Sequence, residues 1–108
     1  MNRIIKFRVI INDKFKYLTI FDVSNNILET NIETLGEYTN INDINGNEIF
    51  ESDIIEYTQH YFNMTETMIK RKVVKWDKLK GGWNIYETNA GESNVIVIGN
   101  IHQNSELK

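Results

Sequence analysis

The chain contains no cysteine and no proline. Without cysteine there is no disulfide framework and no thiolate-held metal, which fits a reducing compartment. Without proline the polar stretch Asn63–Thr67, which also lacks glycine, has nothing to fix its shape. No apolar run approaches the roughly 18–20 residues that a membrane helix needs. Met1-Asn2-Arg3 opens a strand-like pattern and not a signal peptide, so no membrane association is expected and the protein should stay in the cytoplasm. Strong charge of one sign is missing as well. Twelve basic and 15 acidic side chains leave a formal charge of -3, which points neither to a polyanion binder nor to a strong DNA mimic. Histidine is limited to His60 and His102, and nothing pairs them. No G-x-S-x-G, Walker loop, G-x-G-x-x-G or H-E-x-x-H is present. The expectation is therefore no catalytic residues, no metal, no cofactor and no enzyme.

At 108 residues the chain is expected to form one domain able to bury a core without covalent staples. Its charge is unevenly placed. Residues 1–54 hold five basic and nine acidic groups, a net of -4, and residues 55–108 hold seven and six, a net of +1. Abundant Ile and Asn, whose codons are AT-rich, suggest a low-GC genome.

The densest local signals lie in Tyr38–Tyr57. Asn45-Gly46 reads as a two-residue hairpin turn, because that turn needs positive φ at both central positions. Turn chemistry alone explains the pair, without a ligand. Ile41 and Ile44 before it and Ile49 and Phe50 after it can fold onto one another. Ser52-Asp53 reads as a second turn or bulge, and Ile54–Tyr57 as renewed strand.

Elsewhere Arg3–Ile11 and Phe15–Phe21 are expected to form an N-terminal hairpin around Asn12-Asp13-Lys14. Apolar residues on both of its faces imply that it packs on the remainder. Asp22–Leu35 fits either a short helix capped by Ser24 or Asn25 or a strand with a loop, and the reading leans to strand. Ile54–Phe62 reads as one long strand. Met68–Asp77 is another, with Val74 and Trp76 facing in. Lys80-Gly81-Gly82 is a turn, and Trp83–Thr88 returns with Trp83, Ile85 and Glu87 on one face. Asn89–Asn94 reads as a loop, Val95–Ile101 as a buried closing strand and residues 102–108 as a polar, fraying tail. The expected fold is mainly β: an antiparallel small barrel or bent sheet with an N-terminal hairpin and at most one short helix. Residues 1–35 would hold the hairpin and a variable segment, and 36–101 the barrel-like core.

Three segments carry a family resemblance. The first is Tyr38, Thr39, Asp43, Asn45, Gly46, Glu48–Glu51 and Asp53–Ile55. The second is Ile5-Lys6-Phe7-Arg8. The third is Ile98–Ile101 with Asn104, Glu106 and Leu107. Together they resemble the YopX-like family of small bacteriophage and prophage proteins. The resemblance implies a mainly β fold, a phage origin and hence the cytoplasm of a bacterial host, and it implies no enzyme chemistry. The chain departs from the family at Asn40 and Ser52, where glycine is usual, so the backbone at Ser52 is expected to differ.

Two surfaces are candidates for contact with a macromolecule. The acidic set Glu48, Glu51 and Glu56 suits a host or phage protein, the preferred kind of partner. The basic run Arg71, Lys72, Lys75 and Lys78 with Trp76 suits a nucleic acid, since cations offset phosphate and an aromatic face stacks on bases. Against the second, Lys70 and Lys72 point to one side of a strand and Arg71 and Lys75 to the other, and the tryptophans suit cross-strand packing. A hydrolase or metal site built on Glu51, Asp53 and His60 is a third reading. Asp53 is better suited to capping backbone N–H groups at its own turn.

Overall fold

A computed structural model describes residues 4–21, 32–60, 67–85 and 91–107. Its strands are β1 (Phe7–Ile11), β2 (Lys14–Leu18), β3 (Gly36–Asn42), β4 (Glu48–Phe50), β5 (Asp53–His60), β6 (Thr67–Val73), β7 (Trp76–Asp77), β8 (Gly82–Trp83) and β9 (Gly91–Asn100). All pairings are antiparallel. A four-stranded sheet in the order β2-β1-β3-β4 bends into a half-barrel. A three-stranded sheet, β6-β5-β9, and the short ribbon β7-β8 complete the fold.

The two Asn-containing turns exchange the roles expected of them. Asn12 and Asp13 both have positive φ, 53° and 64°, and Ile11 faces Lys14 across them. That is the tight two-residue turn whose twist suits a hairpin. At the second corner only Gly46 is left-handed, with φ 84°. The Asp43 N–H donates to Asn47 O at 2.8 Å and the Gly46 N–H to Asp43 O at 3.0 Å, so Ile44–Gly46 form a three-residue loop. The cause is Asp43. Its Oδ1 accepts the Asn45 and Asn47 N–H groups at 2.9 and 2.8 Å, which holds Asn45 right-handed and leaves the reversal to glycine.

At Glu51-Ser52 the chain leaves the four-stranded sheet and enters the other. Ser52 has φ 75° and Asn40 has φ 66°. Both residues thus keep the left-handed backbone that glycine favours, contrary to the difference expected at Ser52. The corner is bonded on all sides. Glu51 N–H reaches Glu37 O, Ser52 N–H reaches Val74 O, and Ser52 O accepts the Ile101 N–H, at 2.8–3.0 Å. Gly36 passes under it so closely that a Cβ there would lie 2.7 Å from Glu51 O.

The core joins all of these parts. Ile49, Ile55, Tyr57, Val74, Ile85 and Val95 cluster, with Ile41, Trp83 and Val97 packed against them. Val74 faces in as expected, but Met68–Asp77 is not one strand. The Val74 N–H bonds Asp53 O at 2.8 Å and the Lys75 N–H bonds Asn84 Oδ1 at 2.8 Å, which ends β6 at Val73. Trp76 therefore sits on the ribbon, 45 % exposed, edge-on to Trp83 with ring centroids 5.4 Å apart.

Other expectations shift at the edges. Gly91–Asn94 belong to β9 and not to a loop, because β5 runs on to His60 and offers a partner: Ser93 pairs with Thr58 and Gly91 with His60. Ile32–Thr34 form a 3-10 turn where strand was favoured. The rest of that segment, residues 22–31, lies outside the described residues, as do residues 61–66 and 86–90, including Glu87. The polar tail is ordered through Leu107. Asn100, 2 % exposed, accepts the His102 and Gln103 N–H groups through Oδ1 at 3.0 Å, and Gln103 Nε2 donates to Asp13 O at 3.0 Å.

Candidate functional site

The acidic groups of the central stretch divide into those that hold the fold and those that face outward. Asp53 is 1 % exposed and Arg8 7 %. Arg8 Nη2 donates to Asp53 Oδ1 at 2.5 Å, and Asp53 Oδ2 accepts the Phe50 N–H at 2.8 Å. The guanidinium lies over the rings of Phe15 and Phe50, 4.4 and 4.6 Å from their centroids. Burial pushes the Asp53 carboxyl above its ordinary range, and the contact with Arg8 offsets part of that. This pair ties β1 to β5 and is closed to substrate. Asp43 is similarly consumed, accepting the Val97 N–H at 3.0 Å and the Asn47 amide at 3.3 Å through Oδ2. Burial would raise its pKa, but these bonds outweigh burial and hold it below the usual carboxylate value.

Bending of the four-stranded sheet brings its two outer strands together across the concave face. Tyr17 on β2 meets Phe50 on β4 at 5.7 Å between centroids, and Tyr38 on β3 meets Phe50 at 5.4 Å. Phe15 extends the row to 6.4 Å from Tyr17. Beside it, where the half-barrel is open, lies a groove of about 420 Å³ lined by Lys6, Tyr17, Leu18, Thr19 and Glu48. Lys6 Nζ bonds Glu48 Oε2 at 2.5 Å on its rim and stands 5.3 Å over the Tyr38 ring. Tyr17 and Leu18 thus give the groove an apolar side and Lys6 and Glu48 a charged lip, an arrangement suited to gripping an apolar side chain and orienting a charged one.

The residues singled out from sequence are distributed over several elements. Glu48 stands on the groove. Glu51 is half-buried at the corner. Glu56 lies on β5 and accepts from Arg71 Nε at 3.1 Å. Arg71 and Lys72 face opposite sides of β6, opposite Glu56 and Ile55 respectively. Lys72 Nζ rests 4.7 Å over the Tyr57 ring. Lys75, Trp76 and Lys78 are exposed on and around the β7-β8 ribbon. The basic run is therefore divided among three places. Of the proposed hydrolase set, Asp53 is sealed by Arg8, and the His60 side chain lies outside the described residues. Among the described residues no group of three or more His, Asp or Glu is placed to hold a metal. Sequence reasoning missed Lys6, Tyr17, Leu18 and Thr19. The available signal was the Lys14-Phe15-Lys16-Tyr17 alternation on a strand with no buried face of its own.

Fold and site define an all-β protein built on a half-barrel sheet, with Phe15 and Tyr17 exposed beside its buried aromatic pair. The family described as YopX protein matches residues 7–107, and the chain belongs to that family. No curated protein and no solved structure matches it.

Proposed function

We propose that this YopX-family chain is a non-enzymatic binding module of phage or prophage origin. It acts in the cytoplasm of a bacterial host by contacting another macromolecule, a protein in preference to a nucleic acid. The observation that carries this reading is the groove: the exposed Tyr17 ring, backed by the buried Phe50 and Tyr38, faces an opening rimmed by Lys6 and Glu48. The best-placed carboxylates for chemistry, Asp43 and Asp53, are already bonded within the fold. Division of the basic run over both faces of β6 and the ribbon weakens the nucleic-acid alternative.

Quantitative capture from host lysate tests the proposal, comparing the native chain with Tyr17→Ala and Glu48→Lys. Both variants should keep the native melting temperature within a few degrees and lose the captured protein. Glu51→Lys and Glu56→Lys should lose less, since Glu51 sits at the corner and Glu56 on the other sheet. Capture that ignores Tyr17 and Glu48 would overturn the assignment of the groove.

A further inference from the structure

We infer that the outer edge of β2 takes up an extended acidic segment of a partner protein as a fifth strand of the half-barrel sheet. This rests on the binding role proposed above and specifies its geometry. β2 is an outer strand of its sheet, and Lys14, Phe15, Lys16 and Tyr17 are all exposed. Of the eleven exposed large apolar side chains among the described residues, six belong to residues 4–21: Ile4, Ile5, Phe15, Tyr17, Ile20 and Phe21. Phe15 and Tyr17 stand on β2 itself and the other four on the segments entering and leaving the hairpin, a concentration in one stretch that sets them apart from apolar residues scattered singly.

The turn fixes the phase of the edge. In a two-residue hairpin the residues flanking the loop exchange both backbone bonds, so Ile11 with Lys14, Val9 with Lys16 and Phe7 with Leu18 bond each other. The backbone N–H and C=O of Phe15 and Tyr17 then point away from β1. The Ile10 N–H, across from Phe15, confirms the alternation: it points away from β2 and donates to Thr34 Oγ1 at 2.9 Å. The same two residues place their rings on the concave face beside the groove, while Lys14 and Lys16 occupy the other face.

An added strand would thus find two complete backbone pairing sites, an aromatic wall and two cations. It would carry Asp or Glu at alternate positions opposite Lys14 and Lys16, and aromatic or branched apolar residues between them. A second copy of this chain fits poorly. The antiparallel register that pairs all of β2 with itself sets Lys16 directly across from Lys16. Of the outer strands of the three-stranded sheet, β9 already has Val95 O and the Val97 N–H bonded to Ile44 and Asp43, and β6 carries Lys70, Arg71 and Lys72 in succession, a charge block on both faces that discourages pairing.

The probe is a synthetic peptide in which Glu alternates with Val and Tyr, titrated into the full chain with amide exchange followed by NMR. Saturable binding with slowed exchange at the Phe15 and Tyr17 amides is expected. Lys14→Glu with Lys16→Glu should weaken it at least about tenfold. Methylating alternate peptide nitrogens should abolish it, and a peptide with Lys in place of Glu should not bind. No binding up to about 1 mM, binding without protection of those two amides, or dimerisation through β2 would each overturn the inference. If Tyr17-dependent capture from lysate survives while Lys14→Glu/Lys16→Glu changes nothing, the groove stands and only the added strand falls.

Discussion

Arg8→Met should be among the most damaging single substitutions in this chain, although Arg8 lies outside the main apolar cluster. Methionine fills much of the same space between Phe15 and Phe50 but leaves the Asp53 carboxylate, 1 % exposed, without its counter-charge. Removing one partner of a buried ion pair costs about 3–5 kcal/mol. A domain of this size has a total stability of only about 5–15 kcal/mol. Replacing both partners should recover most of the loss. In Arg8→Met/Asp53→Asn the amide oxygen can still accept the Phe50 N–H that Asp53 Oδ2 accepts. Urea denaturation of the three proteins measures this. The deficit of Arg8→Met should also shrink on acidification. Without Arg8 the folded-state pKa of Asp53 rises further above its unfolded value. The folded variant therefore gains stability, relative to the native chain, as pH falls through that pKa and the carboxyl becomes neutral. A loss below about 1 kcal/mol for Arg8→Met, or a deficit independent of pH, would show that the pair is solvated in solution and refute the reasoning.

The left-handed residues separate backbone demand from side-chain use. Ser52→Gly should stabilise the chain by about 0.5–1 kcal/mol, the relief of left-handed strain less the added unfolded-state entropy. Asn40→Gly should not, because the Asn40 side chain bonds both the Ile4 N–H and the Ile4 carbonyl at 2.8 Å. Thermal melts of the two variants decide the point. Asp43→Asn should cost about 2 kcal/mol and flatten the acid limb of the stability curve. The depressed folded pKa of Asp43 means that its contribution is present above about pH 4 and lost as pH falls through the folded value. Urea midpoints measured across the acid range check it. Trp76 fluorescence should not change when short single-stranded DNA or RNA is added at low salt. Binding whose affinity falls steeply with salt would restore the nucleic-acid reading.

Much of the architecture was legible because local chemistry carried it. Alternation marked the N-terminal hairpin, and turn residues marked both Asn-containing corners and the reversal near Lys80-Gly81-Gly82, which spans residues 78–81 and leaves Gly82 in β8 opposite Asp77. Which corner was the two-residue turn was not legible, since Asn45-Gly46 is the better pair by propensity. The deciding contact was the Asp43 carboxylate two and four residues away. Nor was the break after Val73, because residues 68–76 hold no Gly, Pro, Asn or Asp to signal it. The strand ends where Val74 closes the ladder on Ser52 and Asp53 at the start of β5 and the Lys75 N–H turns instead to Asn84 Oδ1. The cap that Asp53 places on the Phe50 N–H at its own turn was legible, but its pairing with Arg8 was not. Arg8 and Asp53 stand 45 positions apart and meet in the interior, as supports and not as reagents. The groove escaped for a related reason: it exists only once a bent sheet carries β2 and β4 towards each other.

The pairing of β9 has a consequence for how the chain is made. Residues 91–100 supply one whole side of the three-stranded sheet, and Gln103 then fastens the reversal at Asp13, ninety positions earlier. A nascent chain would reach the ribosome's exit with β1 to β8 exposed and the Val95 slot unfilled. Contacts of such long range form slowly and leave apolar strands uncovered meanwhile. Closure should therefore come as one late cooperative step, and a chain cut before Gly91 should aggregate instead of folding into a smaller version of the same domain.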